Sequence, residues 1–259
     1  MRAGVIGRAD RLVPRMLAAG LEPVVHAGAQ GAPAGAATTV ADYPEFFEAL
    51  DHPRLFLLDL DPGPDVDRLV DESYVVMEPG DVVLDLTGSY WGDTLRRYRR
   101  MRHRSLFYVD AAFVEGAGAS ALLASGDPRG VDLARPLLER LAGRSRFVHA
   151  GEAGAAHFAL TLHDAWRTAL TQAASEVHQA LEAFPNHASP DLLEALTGGL
   201  GDGPGARAPW LLDDAVRLEA ATPLLAQAAM LELATALEEL RPSPPPPRVG
   251  PFVHPDEIL

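Results

Sequence analysis

Hydrophobic positions along the chain fall into two regimes. Over the first 150 residues, short apolar runs alternate with stretches in which apolar side chains recur every three or four positions. RAGVIG, EPVVHA, RLFLLDLD, DVVLDLT, SLFYVDAAFV, SALLASG and SRFVHAG read as strands, and RLFLLDLD is a continuous apolar run of the kind buried on both faces of a parallel sheet. Between them RLVPRMLAAG, YPEFFEAL, PDVDRLVDESYVVM, DTLRRYRRMRH and VDLARPLLERLAG carry helical spacing, and Gly20 closes the first of these. The segment AGAQGAPAGAATTVAD reads as loop. This alternation predicts a Rossmann-like, doubly wound α/β sheet over residues 1–150.

From Gly151 the pattern changes. GEAGAAHFALTLHDAWRTALTQAASEVHQALEAF contains no proline and is rich in Ala, Leu, Glu and Gln, so it predicts one helix of roughly 30 residues, about 45 Å long. Phe158, Leu162, Trp166, Ala169, Leu170, Ala173, Ala174, Val177, Leu181 and Phe184 recur at three and four along it, while His157, His163, Asp164 and Arg167 interrupt its first half. Such a helix offers a site at one end and a packing surface at the other. SPDLLEALTGGL, WLLDDAVRLEA and PLLAQAAMLELATALEEL continue in helical pattern, giving a helical region over 151–241. The remainder, 242–259, holds a proline run that predicts an extended, semi-rigid arm.

Composition narrows the chemistry. At 259 residues and 47% hydrophobic, with mean hydropathy near zero, the chain can bury a substantial core. A formal charge of -14 argues against nucleic acid or an anionic membrane as partner, because both would be repelled. The local run Arg96, Arg97, Arg99, Arg100, Arg102 and Arg104 reads first as a solvated helix face. No cysteine is present, which removes thiolate nucleophiles, disulfides and zinc-thiolate sites. All 22 basic residues are arginine, so no lysine base or Schiff base is available. With no signal-like start and no run of membrane-spanning length, the expected location is cytoplasmic.

DVVLDLTGSYWGD, FYVDAAFVEGAGAS and GEAGAAHFALTLHDAWRTALTQA, in that order, resemble 6-phosphogluconate dehydrogenase and the wider beta-hydroxyacid dehydrogenase superfamily, and ARAPWLLDDAVRLEAATPLLAQA extends the likeness to about residue 230. The resemblance implies a Rossmann domain, a long helix at the core of a homodimer, and a helical C-terminal part. It also implies NAD(P), a lysine base on the long helix, and an Arg and a His six residues apart in a C-terminal tail that binds an anionic substrate.

The departures are specific. The positions of the G-x-G-x-x-G fingerprint read Gly7, Ala9 and Leu12, and His26, Ala27 and Gly28 stand where a ribose-recognising residue is placed. The lysine position is Leu160. Ser89 is the one residue kept from the family's G-G-N-S loop, and Val114, Glu115 and Gly116 replace its S-G-G loop. Arg248 and His254 keep the tail spacing.

No cofactor is therefore expected, with NAD(P) through Gly7 and Ala9 as the alternative. His163, Asp164 and Glu115 are the candidates for acid–base work, and Ser89, Tyr90, His157, Arg167, Arg248 and His254 for binding a small anionic molecule. His157 and Asp164, seven apart, lie about 10 Å apart along a helix, too far to grip one metal ion unaided, so no metal site is expected. Three functions stay open: a non-redox protein of a biosynthetic pathway, an NAD(P)-dependent oxidoreductase with an altered cofactor loop, and a non-catalytic accessory subunit.

Overall fold

The computed structural model describes residues 1–26, 38–116, 119–182, 210 and 227–231. The described elements are β1 (Arg2–Gly7), α1 (Ala9–Ala18), β2 (Glu22–His26), β3 (Thr38–Val40), α2 (Tyr43–Glu48), β4 (Leu55–Asp59), α3 (Pro64–Tyr74), β5 (Val82–Asp85), α4 (Trp91–Arg102), β6 (Phe107–Gly116), β7 (Ala119–Gly126), α5 (Pro128–Ala142), β8 (Arg146–Gly151) and α6 (Ala155–Glu182). Each strand and helix expected up to residue 182 is present. One further strand appears: Thr38–Val40, read from sequence as loop, pairs in parallel with β2. It is three residues long with only Val40 partly covered, too short for a period to register.

The eight strands form one sheet in the order β3-β2-β1-β4-β5-β6-β7-β8. The pairs β1·β2, β1·β4, β2·β3, β4·β5, β5·β6 and β7·β8 are parallel. Alternation at a period of two explains why these strands read as unbroken apolar runs. Leu55 and Leu57 of β4, with Val82 and Leu84 of β5, enter one core with Leu12, Val13 and Met16 of α1 and Leu137, Leu138 and Leu141 of α5. Phe56, Leu58 and Val83 turn to the opposite face, against Phe46 and Phe47 of α2, Val66 and Val70 of α3 and Met101 of α4. Both faces are covered, which is the doubly wound arrangement.

The strand order reverses between β1 and β4, because the chain builds outward through β2 and β3 and then returns to the other side of β1. A crevice at the carboxyl ends of the strands follows from such a reversal. Gly7 and Asp59 are register partners at that point. Contacts divide the chain into two compact units. Described residues of the first lie within Met1–Val114 and Ser120–Phe158, and those of the second within Glu115–Ala119 and Ala159–Pro246. Trp210 and residues 227–231 are helical; the other helices expected after residue 184, and the proline arm, lie outside the described residues. No helix among the described residues is long and apolar enough to cross a membrane.

Candidate functional site

Three buried strands of the first unit carry an aspartate after an apolar run: Asp59 in LFLLD, Asp85 in VVLD and Asp110 in FYVD. All three are fully buried, and together they organise the carboxyl edge of the sheet.

Asp110 anchors the start of the long helix. Its Oδ1 accepts the backbone N–H of Gly154 at 2.8 Å, and its Oδ2 accepts the N–H of His157 at 3.0 Å and the hydroxyl of Ser125 at 2.7 Å. Ser125 Oγ in turn accepts the N–H of Ala156 at 2.8 Å. These donors belong to a helix N-terminus, whose first N–H groups lack intrahelical partners and favour a negative charge. Burial pushes the Asp110 carboxyl above its ordinary range, against the opposing pull of His157 and these hydrogen bonds.

Asp85 is held from the other side. Thr87 donates its N–H and hydroxyl to Oδ1 at 2.9 and 2.5 Å, and Tyr108 donates its hydroxyl to Oδ2 at 2.5 Å. Arg97, nearly fully buried, donates Nε to Asp67 at 2.9 Å and Nη1 to Ser89 at 2.8 Å, and its Nη1 lies 3.7 Å from Asp85. Burial alone would raise the Asp85 carboxyl; His157, Arg97 and the two hydroxyls outweigh it and hold the group below its ordinary value. The arginine run of α4 and the turn after it is largely paired in the same way: Arg96 and Arg97 to Asp67, Arg100 to Asp71, and Arg104 to the carbonyls of Tyr74 and Met77.

This network decides where several expected binding residues lie. His157 is 1% exposed; its Nε2 donates to the Asp85 carbonyl at 3.1 Å and its Nδ1 meets Thr94 Oγ1 at 2.7 Å. Ser89 is 1% exposed and lies between Thr87 and Arg97. Tyr90 is equally buried, with its ring tilted against Trp91. In the first unit these three side chains are built into the interior. Arg167 is half-buried on α6, while Arg248 and His254 lie outside the described residues.

His163, Asp164 and Glu115 come together in the second unit. His163 Nε2 donates to the main-chain carbonyl of Glu115 at 3.0 Å, and its Nδ1 is 4.0 Å from Asp164 Oδ1. Asp164 is nearly buried, whereas a fifth of the His163 side chain is exposed. Glu115 contributes its carbonyl to this pair. Among the described residues no group of three His, Asp or Glu side chains is placed to hold a metal.

The third aspartate lies at the reversal of strand order, and sequence reasoning missed it. Asp59 is 0% exposed, yet neither carboxylate oxygen accepts a hydrogen bond; Arg11 Nε approaches Oδ2 at 3.0 Å and Arg8 Nε approaches Oδ1 at 3.6 Å. Arg8 also pairs through Nη1 with Asp61 at 3.0 Å. Both arginine side chains are partly open to solvent, 30% and 55% exposed. They stand at the first turn of α1, which no side chain caps. Gly7 enters this turn at φ +105, and a Cβ there would lie 2.1 Å from the Asp59 carbonyl oxygen. The glycine is thus required by the turn itself. An uncapped helix start with two convergent guanidiniums suits an anionic group such as a dinucleotide pyrophosphate. Ala9 and Leu12, at the other fingerprint positions, are buried in the core.

Residues 12–151 match the NAD binding domain of 6-phosphogluconate dehydrogenase. The chain belongs to that family. The matched span opens at Leu12, just past Gly7, Arg8 and Arg11. The YqeC protein of Bacillus subtilis is 24% identical over 220 residues, 71% of this chain and 72% of that one. A 6-phosphogluconate dehydrogenase of Bacillus licheniformis is 30% identical over 145 residues, 53% of this chain; the match spans 31% of that enzyme's length. Two solved structures share the fold. The 3-hydroxyisobutyrate dehydrogenase of Mycobacterium tuberculosis, solved with L-serine, aligns at TM-score 0.70 and 19% identity over 92% of this chain and 95% of that one. The 6-phosphogluconate dehydrogenase of Plasmodium falciparum, described with NADP+ and with 6-phosphogluconate, aligns at 0.77 and 16% over 93% of this chain and 63% of that one.

Proposed function

We propose that this chain is an NAD(P)-dependent oxidoreductase of the 6-phosphogluconate dehydrogenase family, acting on a small anionic substrate, with His163 and Asp164 handling the proton in place of a lysine. The observation that carries the reading is the pair of partly exposed arginines, Arg8 and Arg11, on the uncapped start of α1 at the reversal of strand order. Arg8, Arg11 and the backbone N–H groups of that turn would hold the pyrophosphate. When bound, the nicotinamide would supply or accept the hydride. This replaces the expectation of no cofactor, which rested on the missing fingerprint glycines.

Proton transfer falls to His163. A carbonyl oxygen can only accept, so the bond to Glu115 places a proton on Nε2 and leaves Nδ1 as the nitrogen that exchanges. Asp164 Oδ1 lies 4.0 Å from that nitrogen, where it would steady the ring as the substrate's proton is taken. The family's homodimer extends to this chain in the same proposal. Leu162 and Trp166, four apart on α6 and 39% and 56% exposed, support an apolar partner for that helix.

Turnover tests the reading. Purified protein is incubated with NADH or NADPH and a panel of small oxo acids and imines, following loss of nicotinamide absorbance. Turnover with at least one substrate is expected, with His163→Asn and Asp164→Asn lowering kcat by about 10²–10⁴-fold while dinucleotide affinity is kept. A non-redox protein that binds a small acidic molecule is the second reading, favoured by Leu160 at the lysine position. It predicts no turnover with any member of the panel, as does a non-catalytic accessory subunit.

A further inference from the structure

Asp59 is the feature of the α1 turn that the function above does not use. An ionised carboxylate buried with no hydrogen bond to either oxygen is costly, and Arg8 Nε is a buried donor left in the same condition. The charges facing Asp59 are Arg8 from the turn after β1, Arg11 and Asp10 from α1, and Asp61 from the segment after β4. Asp85, its neighbour along the sheet edge, is already held by Thr87 and Tyr108. Two arginines against three aspartates leave the cluster one charge negative when Asp59 is ionised and neutral when it is protonated. An incoming anion therefore meets a repulsive field and guanidiniums held by Asp59 in the first state; in the second the net field is gone and Arg11 is released, while Arg8 keeps its pair with Asp61.

We infer that Asp59 is an internal stand-in for the ligand's phosphates: it holds the Arg8 and Arg11 guanidiniums when no anion is bound, and gives them up by taking a proton as a pyrophosphate-bearing ligand binds. The inference rests on the dinucleotide reading of this crevice and adds to it a proton-coupled binding step. Geometry makes the exchange local. Arg11 Nε is 3.0 Å from Oδ2 while more than half of its side chain is exposed, so it turns from the carboxylate to a ligand without leaving the site. Burial already pushes the Asp59 carboxyl above its ordinary range, opposed by Arg11 and Arg8; withdrawing those two cations to a phosphate pushes it further up. The free energy of binding and the proton occupancy of Asp59 are thereby linked.

The test uses the full chain and ADP-ribose, whose pyrophosphate stays doubly charged across the range studied. Calorimetric titrations run from pH 5 to 8, each in two buffers of different ionisation enthalpy, so that proton uptake is measured directly on the unaltered protein. Affinity is expected to weaken with rising pH, approaching about tenfold per pH unit, with uptake approaching one proton per ligand. Asp59→Asn is expected to bind at least about tenfold more tightly at pH 7.5, with no pH dependence and no uptake, and Arg11→Ala to bind more weakly than the unaltered protein. Binding that is independent of pH, or uptake that persists in Asp59→Asn, overturns the proton coupling while leaving the dinucleotide reading intact. Absence of binding at every pH, in both the unaltered protein and Asp59→Asn, overturns both.

Discussion

Asp110 and His157 are 47 residues apart in sequence, and a backbone hydrogen bond of 3.0 Å from His157 to Asp110 Oδ2 fixes the start of α6. The same carboxylate accepts from Gly154 and Ser125, so one side chain aligns the sheet edge with the first turn of the helix. Asp110→Ala strands three buried donors. The expected cost is about 3 kcal/mol, a fall in Tm of roughly 6–12 °C for a chain of this size, measured by calorimetry. A fall below about 2 °C would show that the helix start is held by other contacts.

Arg97 makes a prediction with a pH signature. It helps hold both Asp67 and Asp85 below their ordinary range, for Asp85 alongside the larger pull of His157. For Asp67 burial works in the opposite direction and is outweighed by Arg97 and Arg96. A carboxyl with a depressed folded value contributes stability above its unfolded value, about 4, and loses it as pH falls through the folded one. Arg97→Met removes that contribution and leaves Asp85 buried without the guanidinium, costing about 3–5 kcal/mol at pH 7. Protonating Asp85 relieves the penalty, so the gap in denaturant midpoint between the two proteins should narrow from pH 7 to pH 4. A gap that is constant over this range would mean that Arg97 stabilises by packing alone.

Gly7→Ala tests the turn that carries the proposed cofactor site. Its φ of +105 and the 2.1 Å approach to the Asp59 carbonyl leave no room for a methyl group. We expect a loss of at least about 2 kcal/mol and a weakened affinity for ADP-ribose, measured by melting and by calorimetric titration. A variant with unchanged melting temperature and affinity would show that the turn is not held in this conformation.

The fold was largely legible because doubly wound sheets write themselves plainly: LFLLD and VVLD are apolar on both faces, and the helical stretches between them keep their period. The site was less so. Ser89 and His157 drew attention as polar residues in family positions, but sequence carries no sign that Arg97, eight residues from one and sixty from the other, would turn inward and bind them into a buried network with Asp85. Asp59 is not among the candidates drawn from the sequence. Its signal was available: three apolar strands in succession end or continue through an aspartate, and a charge at such a place is buried and must find a partner. The sequence does not single out Arg8 or Arg11, since their convergence on Asp59 depends on β4 returning to the side of β1.

The measurement that tests the account most directly is a nicotinamide-fluorescence titration of the unaltered protein, and of a variant carrying Arg8→Ala and Arg11→Ala, with NADH and NADPH. The account predicts saturable binding of at least one of them, with a Kd on the order of 10 µM, weakened at least about tenfold in the double variant. No saturation with either dinucleotide up to about 1 mM, or equal affinity in the double variant, would contradict it.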